Sequence, residues 1–123
     1  MPYQAKAALV RQTNAPVVVE TITVADPQRD EVTIKLGACG VCHSDLSAVN
    51  GTLPFPPPVV LGHEGAGTVV AVGDGVTDFA IGDTVLSSFV TMCGRCRWCA
   101  LGRPALCELS AKSMLTLPDG TLR

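Results

Sequence analysis

The chain has 123 residues and a formal net charge of -2; 47% of its side chains are hydrophobic, 16% charged and 4% aromatic. That length can bury a real core in one domain, and the composition excludes a disordered chain. A near-neutral charge with no basic block excludes nucleic acid and anionic membrane surfaces as partners, and no stretch is long and apolar enough to span a bilayer.

The N-terminus MPYQAKAALVRQ has no charged start followed by a long apolar run, so no signal peptide is expected. Short runs rich in β-branched residues predict strands near Ala5–Val10, Val17–Val24, Glu31–Gly37, Thr68–Val72 and Asp83–Ser88. Asn14-Ala15-Pro16, Gly73-Asp74-Gly75 and Gly82-Asp83 punctuate them. Val32, Ile34 and Leu36 alternate with Thr33 and Lys35, the period of a half-buried strand. One short helix is expected at Ser44–Asn50, with Ser44 as its N-cap and Gly51 as its stop. Leu53-Pro54-Phe55-Pro56-Pro57-Pro58 reads as a stiff extended surface segment. Pro118-Asp119-Gly120 is a turn signal between two strands, the second of them cut short at Arg123, so the chain reads as a fragment. No repeat and no linker divides the chain, and the architecture expected is a mainly β single domain, a barrel or a sandwich.

Gly65-x-Gly67 and Gly73-x-Gly75 do not complete the dinucleotide pattern G-x-G-x-x-G, because the sixth positions are Val70 and Asp78. They read as turn and close-packing glycines, and the chain shows no cofactor-binding domain of its own.

Six cysteines carry the chemistry. Without an export signal their thiols stay reduced, which points to a cytoplasmic protein and to metal or catalysis rather than disulfides. Cys93, Cys96, Cys99 and Cys107 form C-x2-C-x2-C-x7-C. Two-residue spacings turn successive thiolates toward one centre, and the longer gap returns the fourth to close a tetrahedron around zinc. Four thiolates with no open position describe a structural site. Arg95, Arg97 and Arg103, or backbone N–H groups, are placed to offset its negative charge. An iron–sulfur cluster fits less well, since the common run ends C-x3-C-P.

Ala38-Cys39-Gly40-Val41-Cys42-His43-Ser44-Asp45 holds a C-x-x-C-H, open to a haem-attachment, a redox or a metal reading. Downstream, Leu61-Gly62-His63-Glu64-Gly65 supplies a histidine and a carboxylate. Cys42, His63 and Glu64 are each competent zinc ligands, and a site of this kind with one open position is catalytic.

Together, G-V-C-H-S-D, G-H-E-G-A-G-x-V and the four-cysteine loop resemble the N-terminal part of a zinc-dependent medium-chain alcohol dehydrogenase, over about Ala7 to Cys107. The resemblance implies a GroES-like, partly open β-barrel over residues 1–123, incomplete, with a structural-zinc lobe at about 91–110. It implies catalytic zinc on Cys42 and His63, with Glu64 as a carboxylate able to approach the metal. Asp45 would hold the ligating histidine in its tautomer, Ser44 would take the alcohol proton, His43 would contact the cofactor pyrophosphate, and Phe89 would line the substrate pocket. The implied activity of the full-length parent is oxidation of an alcohol to an aldehyde or ketone, and the reverse, by hydride transfer to NAD or NADP. The parent would be a homodimer or homotetramer. The Rossmann domain and a third zinc-ligating cysteine of the family lie outside these residues, so the chain alone is expected to be inactive. A non-catalytic zinc-binding module is the alternative. Cys39 and Ser47 depart from the family pattern: a small non-thiol residue is usual at the first, and several members carry a relay histidine at the second.

Overall fold

The computed structural model describes residues 2–110. In chain order they form β1 (Tyr3–Val10), β2 (Val18–Val24), β3 (Val32–Gly40), α1 (His43–Val49), β4 (Val59–Val60), β5 (Glu64–Val72), β6 (Thr84–Leu86) and α2 (Arg97–Ala100), with a 3-10 turn at Pro104–Leu106. The protein is mainly β, with open sheets. It divides into two compact units, residues 1–87 and residues from 88 onward. No Pro- or Gly-rich linker in the sequence marks that division. The expected turn at Pro118-Asp119-Gly120 lies outside the described residues.

The first unit holds two three-stranded antiparallel sheets, ordered β2-β1-β4 and β3-β5-β6. β1 pairs with β2 from Tyr3 opposite Val24 to Leu9 opposite Val18, and the short β4 adds Val59 and Val60 beside Val10 and Leu9. Each sheet contributes one fully buried valine, Val10 from β1 and Val69 from β5. A cavity of about 1020 Å³ is lined from both sheets, by Ala5, Ala7, Ile22, Ile34 and Val70 among others.

The alternation of Val32, Ile34 and Leu36 forms a strand, but burial does not alternate along it: the first three residues are half-buried and the rest exposed. Register shifts lie between Thr33 and Ile34 and between Leu36 and Ala38, and each re-aims the side chains that follow it. β3 also runs beyond the expected Gly37 to Gly40. β5 begins at Glu64 rather than Thr68, so that Gly40 pairs with Glu64 and Cys39 with Gly65. These ends were hidden by glycines, which lower strand propensity. Gly67 has a packing reason. A Cβ there would fall inside the Lys35 carbonyl oxygen and against the Leu36 Cα, so the glycine lets the β3 and β5 backbones close up.

The helix starts one residue earlier than expected, and its N-cap is Cys42, not Ser44. The reason is Asp45 at the third helical position, which reaches back to accept the Cys42 N–H at 2.9 Å, one half of a capping box. Asn50 is the C-cap and Gly51 follows at φ +80°, as a helix stop requires.

Gly67→Ala is expected to lower the unfolding free energy by roughly 2 kcal/mol, because the obstacle is rigid backbone rather than a movable side chain. Urea unfolding followed by circular dichroism checks this.

Candidate metal centres

The first centre is assembled by three chain segments. β3 delivers the chain to Cys42 at the cap of α1, α1 carries Ser44 and Asp45, and the start of β5 brings His63 and Glu64 alongside through its pairing with Gly40 and Cys39. One ligand atom each from Cys42, His63 and Glu64 lie within 4.8 Å of one another. Ser44 Oγ donates to Cys42 Sγ at 3.2 Å and sits 3.1 Å from His63 Nε2. Glu64 Oε1 is 3.9 Å from the same Nε2.

Asp45 ties these segments together. Its Oδ2 accepts the Cys42 N–H at 2.9 Å, its Oδ1 accepts the Gly62 N–H at 3.1 Å, and the same Oδ1 lies 3.4 Å from His63 Nδ1. Gly62 has φ +108°, in the left-handed region that favours glycine. With Nδ1 turned to the carboxylate, Nε2 is the nitrogen that faces Cys42, Ser44 and Glu64, which is how a second carboxylate orients a ligating histidine.

The Cys42 thiol is held below its ordinary value, first by the Ser44 hydroxyl and next by the Ser44 N–H and His63. His63 is raised, first by its hydrogen bond with Cys42, with burial opposing and Asp45 assisting. In the metal-free chain both directions favour a thiolate beside an imidazolium.

The second centre lies in the second unit. Ligand sulfurs of Cys93, Cys96, Cys99 and Cys107 lie within 4.8 Å of one another, and Cys96 Sγ is 3.6 Å from Cys99 Sγ. A tetrahedron with 2.3 Å zinc–sulfur bonds has edges of roughly 3.8 Å, so the donor set fits zinc. Gly94 and Gly102, at φ +72° and +70°, turn the chain between the ligands. The Cys93 N–H points at Cys107 Sγ and the Cys96 N–H at Cys93 Sγ, each at 3.3 Å. Backbone N–H groups, led by that of Cys99, lower the Cys96 thiol to about 6, whereas burial and the Cys96 contact push Cys99 up to about 11. The Cys93 N–H likewise lowers Cys107. Amides therefore supply the charge compensation, while the Arg97 guanidinium lies 5.1 Å over the Trp98 ring.

The chain matches the alcohol dehydrogenase GroES-like domain family over residues 28–123. It belongs to that family. It is 42% identical to S-(hydroxymethyl)glutathione dehydrogenase of Candida maltosa, over 99% of this chain and 33% of the relative. It is 44% identical to alcohol dehydrogenase class-3 of Drosophila melanogaster, over 96% and 32%. Benzyl alcohol dehydrogenase from Acinetobacter calcoaceticus superposes with a TM-score of 0.89 at 34% identity, over 98% of this chain and 33% of that one. The chain thus spans about a third of the length of these relatives.

Within this GroES-like domain, Cys42, Ser44, Asp45, His63 and Glu64 come together. His43 does not join them: it is exposed, with Nδ1 3.4 Å from Ser47 Oγ one turn along α1. Phe89 belongs to the second unit, where it is 47% exposed. Ser87 is a residue the motifs do not reveal. Its Oγ accepts the Gly65 N–H at 2.8 Å and donates to the His63 carbonyl at 3.0 Å, and its N–H donates to Gly65 O. It thereby clamps the segment that carries His63 and Glu64. No sequence signal distinguishes it from any other serine at a strand end.

Asp45→Asn replaces one acceptor oxygen by a donor that opposes an N–H, and is expected to cost roughly 2 kcal/mol in urea unfolding of the metal-free chain. Filling the four-cysteine loop at pH 7.5 is expected to release fewer than four protons, because Cys96, at about 6, has already lost its own while Cys99, at about 11, has not. Zinc titration in weak buffer with a pH indicator checks the count. The sign is fixed: acidification through about 6 re-protonates Cys96 and weakens zinc retention.

Proposed function

We propose that these 123 residues are the metal-binding part of the catalytic domain of a zinc-dependent alcohol dehydrogenase that interconverts an alcohol and its aldehyde or ketone with NAD or NADP. The observation that carries the reading is the juxtaposition of the Cys42 thiol, the His63 Nε2 and the Glu64 carboxylate, with Asp45 behind the imidazole. The relatives named above act on an alcohol or a hydroxymethyl thiol adduct. Similar solved structures include one bound to NADP and one complexed with NADH.

In this reading Cys42 and His63 hold a catalytic zinc, and Glu64 stands beside it as an exchangeable carboxylate. Zinc bound there would supply Lewis acidity, lowering the pKa of a substrate hydroxyl as it lowers that of bound water. Ser44, in contact with Cys42 and His63, hydrogen-bonds the substrate hydroxyl and takes its proton while releasing its own hydroxyl proton toward solvent. Asp45 keeps His63 in the tautomer that leaves Nε2 free for the metal. His43, exposed at the start of α1, is left to meet the cofactor, and Phe89 to meet the substrate. Cys93, Cys96, Cys99 and Cys107 hold a structural zinc that braces residues 91–110. The chain by itself does not transfer hydride, because its glycine pairs form no dinucleotide loop and the cofactor must be held by other residues.

Native mass spectrometry of the zinc-loaded chain is expected to show two zinc ions, with Cys42→Ser losing one and Cys93→Ser the other. Purified chain supplied with NAD or NADP and a primary or benzylic alcohol is expected to give no reduced nicotinamide at 340 nm. Loss of neither zinc with Cys42→Ser would remove the catalytic-site reading.

A further inference from the structure

We propose that Gly40 is a positioning residue for Glu64: its missing side chain is the space in which the Glu64 carboxylate reaches the Cys42–His63 centre. The inference rests on the metal-site reading above. Gly40 and Glu64 are direct partners across β3 and β5, and opposed residues of an antiparallel pair present their side chains on the same face, side by side. A Cβ at Gly40 would fall on Glu64 Oε2 and come within 3.1 Å of its Cβ and 3.3 Å of its Cδ. Glu64 is therefore folded over the Gly40 Cα, with its other oxygen 3.9 Å from His63 Nε2.

Backbone conformation does not explain this glycine. Gly40 is not among the glycines with positive φ, unlike Gly51, Gly62, Gly75, Gly82, Gly94 and Gly102. An alanine can adopt its dihedral angles, and where it can, replacing glycine restricts the unfolded chain and stabilises the fold. The obstacle also differs from that at Gly67, where the new methyl would meet backbone. At Gly40 the severe clash is with Oε2 at the far end of a flexible side chain, which can swing away, and the Glu64 Cβ at 3.1 Å asks the strand pair to give by only a few tenths of an ångström. A methyl at Gly40 would leave the sheet standing and move the carboxylate off the metal.

The experiment compares the wild-type chain with Gly40→Ala, Glu64→Ala, the double variant and Cys42→Ser, reading zinc retention at the second-filled site by competition with a chromogenic chelator. Urea unfolding of the metal-free proteins accompanies it. Gly40→Ala and Glu64→Ala are each expected to weaken retention by about tenfold. The double variant is expected to be no weaker than Glu64→Ala alone, and Gly40→Ala to unfold at or above the wild-type midpoint. Retention by Gly40→Ala equal to wild type overturns the proposal, as do losses that multiply in the double variant. If Gly40→Ala fails to fold, a double variant that folds supports the steric account and one that does not overturns it. A wild-type zinc that Cys42→Ser leaves in place removes the metal-site reading itself, an outcome distinct from these.

Discussion

Asp45 is the one charged residue buried among the described residues, 7% exposed, and a carboxylate taken out of water is costly unless its oxygens find donors. Here they find the N–H of Cys42, the N–H of Gly62 and the ring of His63. Two of these donors belong to backbone at the two places where the chain delivers a metal ligand. The folding requirement that Asp45 be satisfied is thus also the requirement that Cys42 and His63 be adjacent. A carboxylate that caps a helix at one oxygen and orients an imidazole at the other makes local helix formation and long-range site assembly one event. The ligands also meet directly, His63 with Cys42 and with Glu64, but Asp45 is the group that fixes the backbone on both sides of that meeting.

The two centres solve the same electrostatic problem in different ways. Thiolates repel one another, so a metal-free cluster must either stay protonated or be compensated. In the cysteine loop the compensation shown is backbone: N–H groups aim at Cys93, Cys96 and Cys107 sulfurs. Cys99 keeps its proton, because burial raises the cost of charge there. In the first centre the compensation is a side chain, since the Ser44 hydroxyl and His63 lower the Cys42 thiol and Cys42 raises His63 in return. A loop held by amides suits a bracing role, because amides cannot move a proton away. A centre held by a hydroxyl and an imidazole suits chemistry, because both can.

The parts of the site that were legible in the sequence were those restricted by element type. Few side chains bind zinc, so cysteine and histidine at fixed spacing narrow the reading sharply, and the structure does cluster the residues that spacing and motif single out, Cys42 with His63 and the four loop cysteines with one another. The strands were legible at β1 and β2, whose short apolar runs contain no glycine or proline, and illegible where glycines interrupt them. The first four residues of β5, Glu64 to Gly67, carry two glycines and read as a turn, yet they pair with β3 throughout. The cap of α1 was misplaced because serine is the better capping residue by preference, whereas the hydrogen bond that decides the start comes from Asp45 at the third position.

What the sequence hides are contributions made by backbone and by empty space. Ser87 acts through two backbone groups of the His63–Gly65 segment, and nothing about a serine announces which amide it will meet. Glycines are harder still, because one letter stands for three physical demands. Gly62 is a conformational demand, with a φ few other residues hold. Gly67 is a demand for close approach between two backbones, and Gly40 a demand for room beside a functional side chain. Only the first leaves a trace in local geometry, and the other two exist only once β3 and β5 have paired. That pairing also carries Glu64 to the metal centre, so the register of one strand pair sets the packing of the sheet and the composition of the site together.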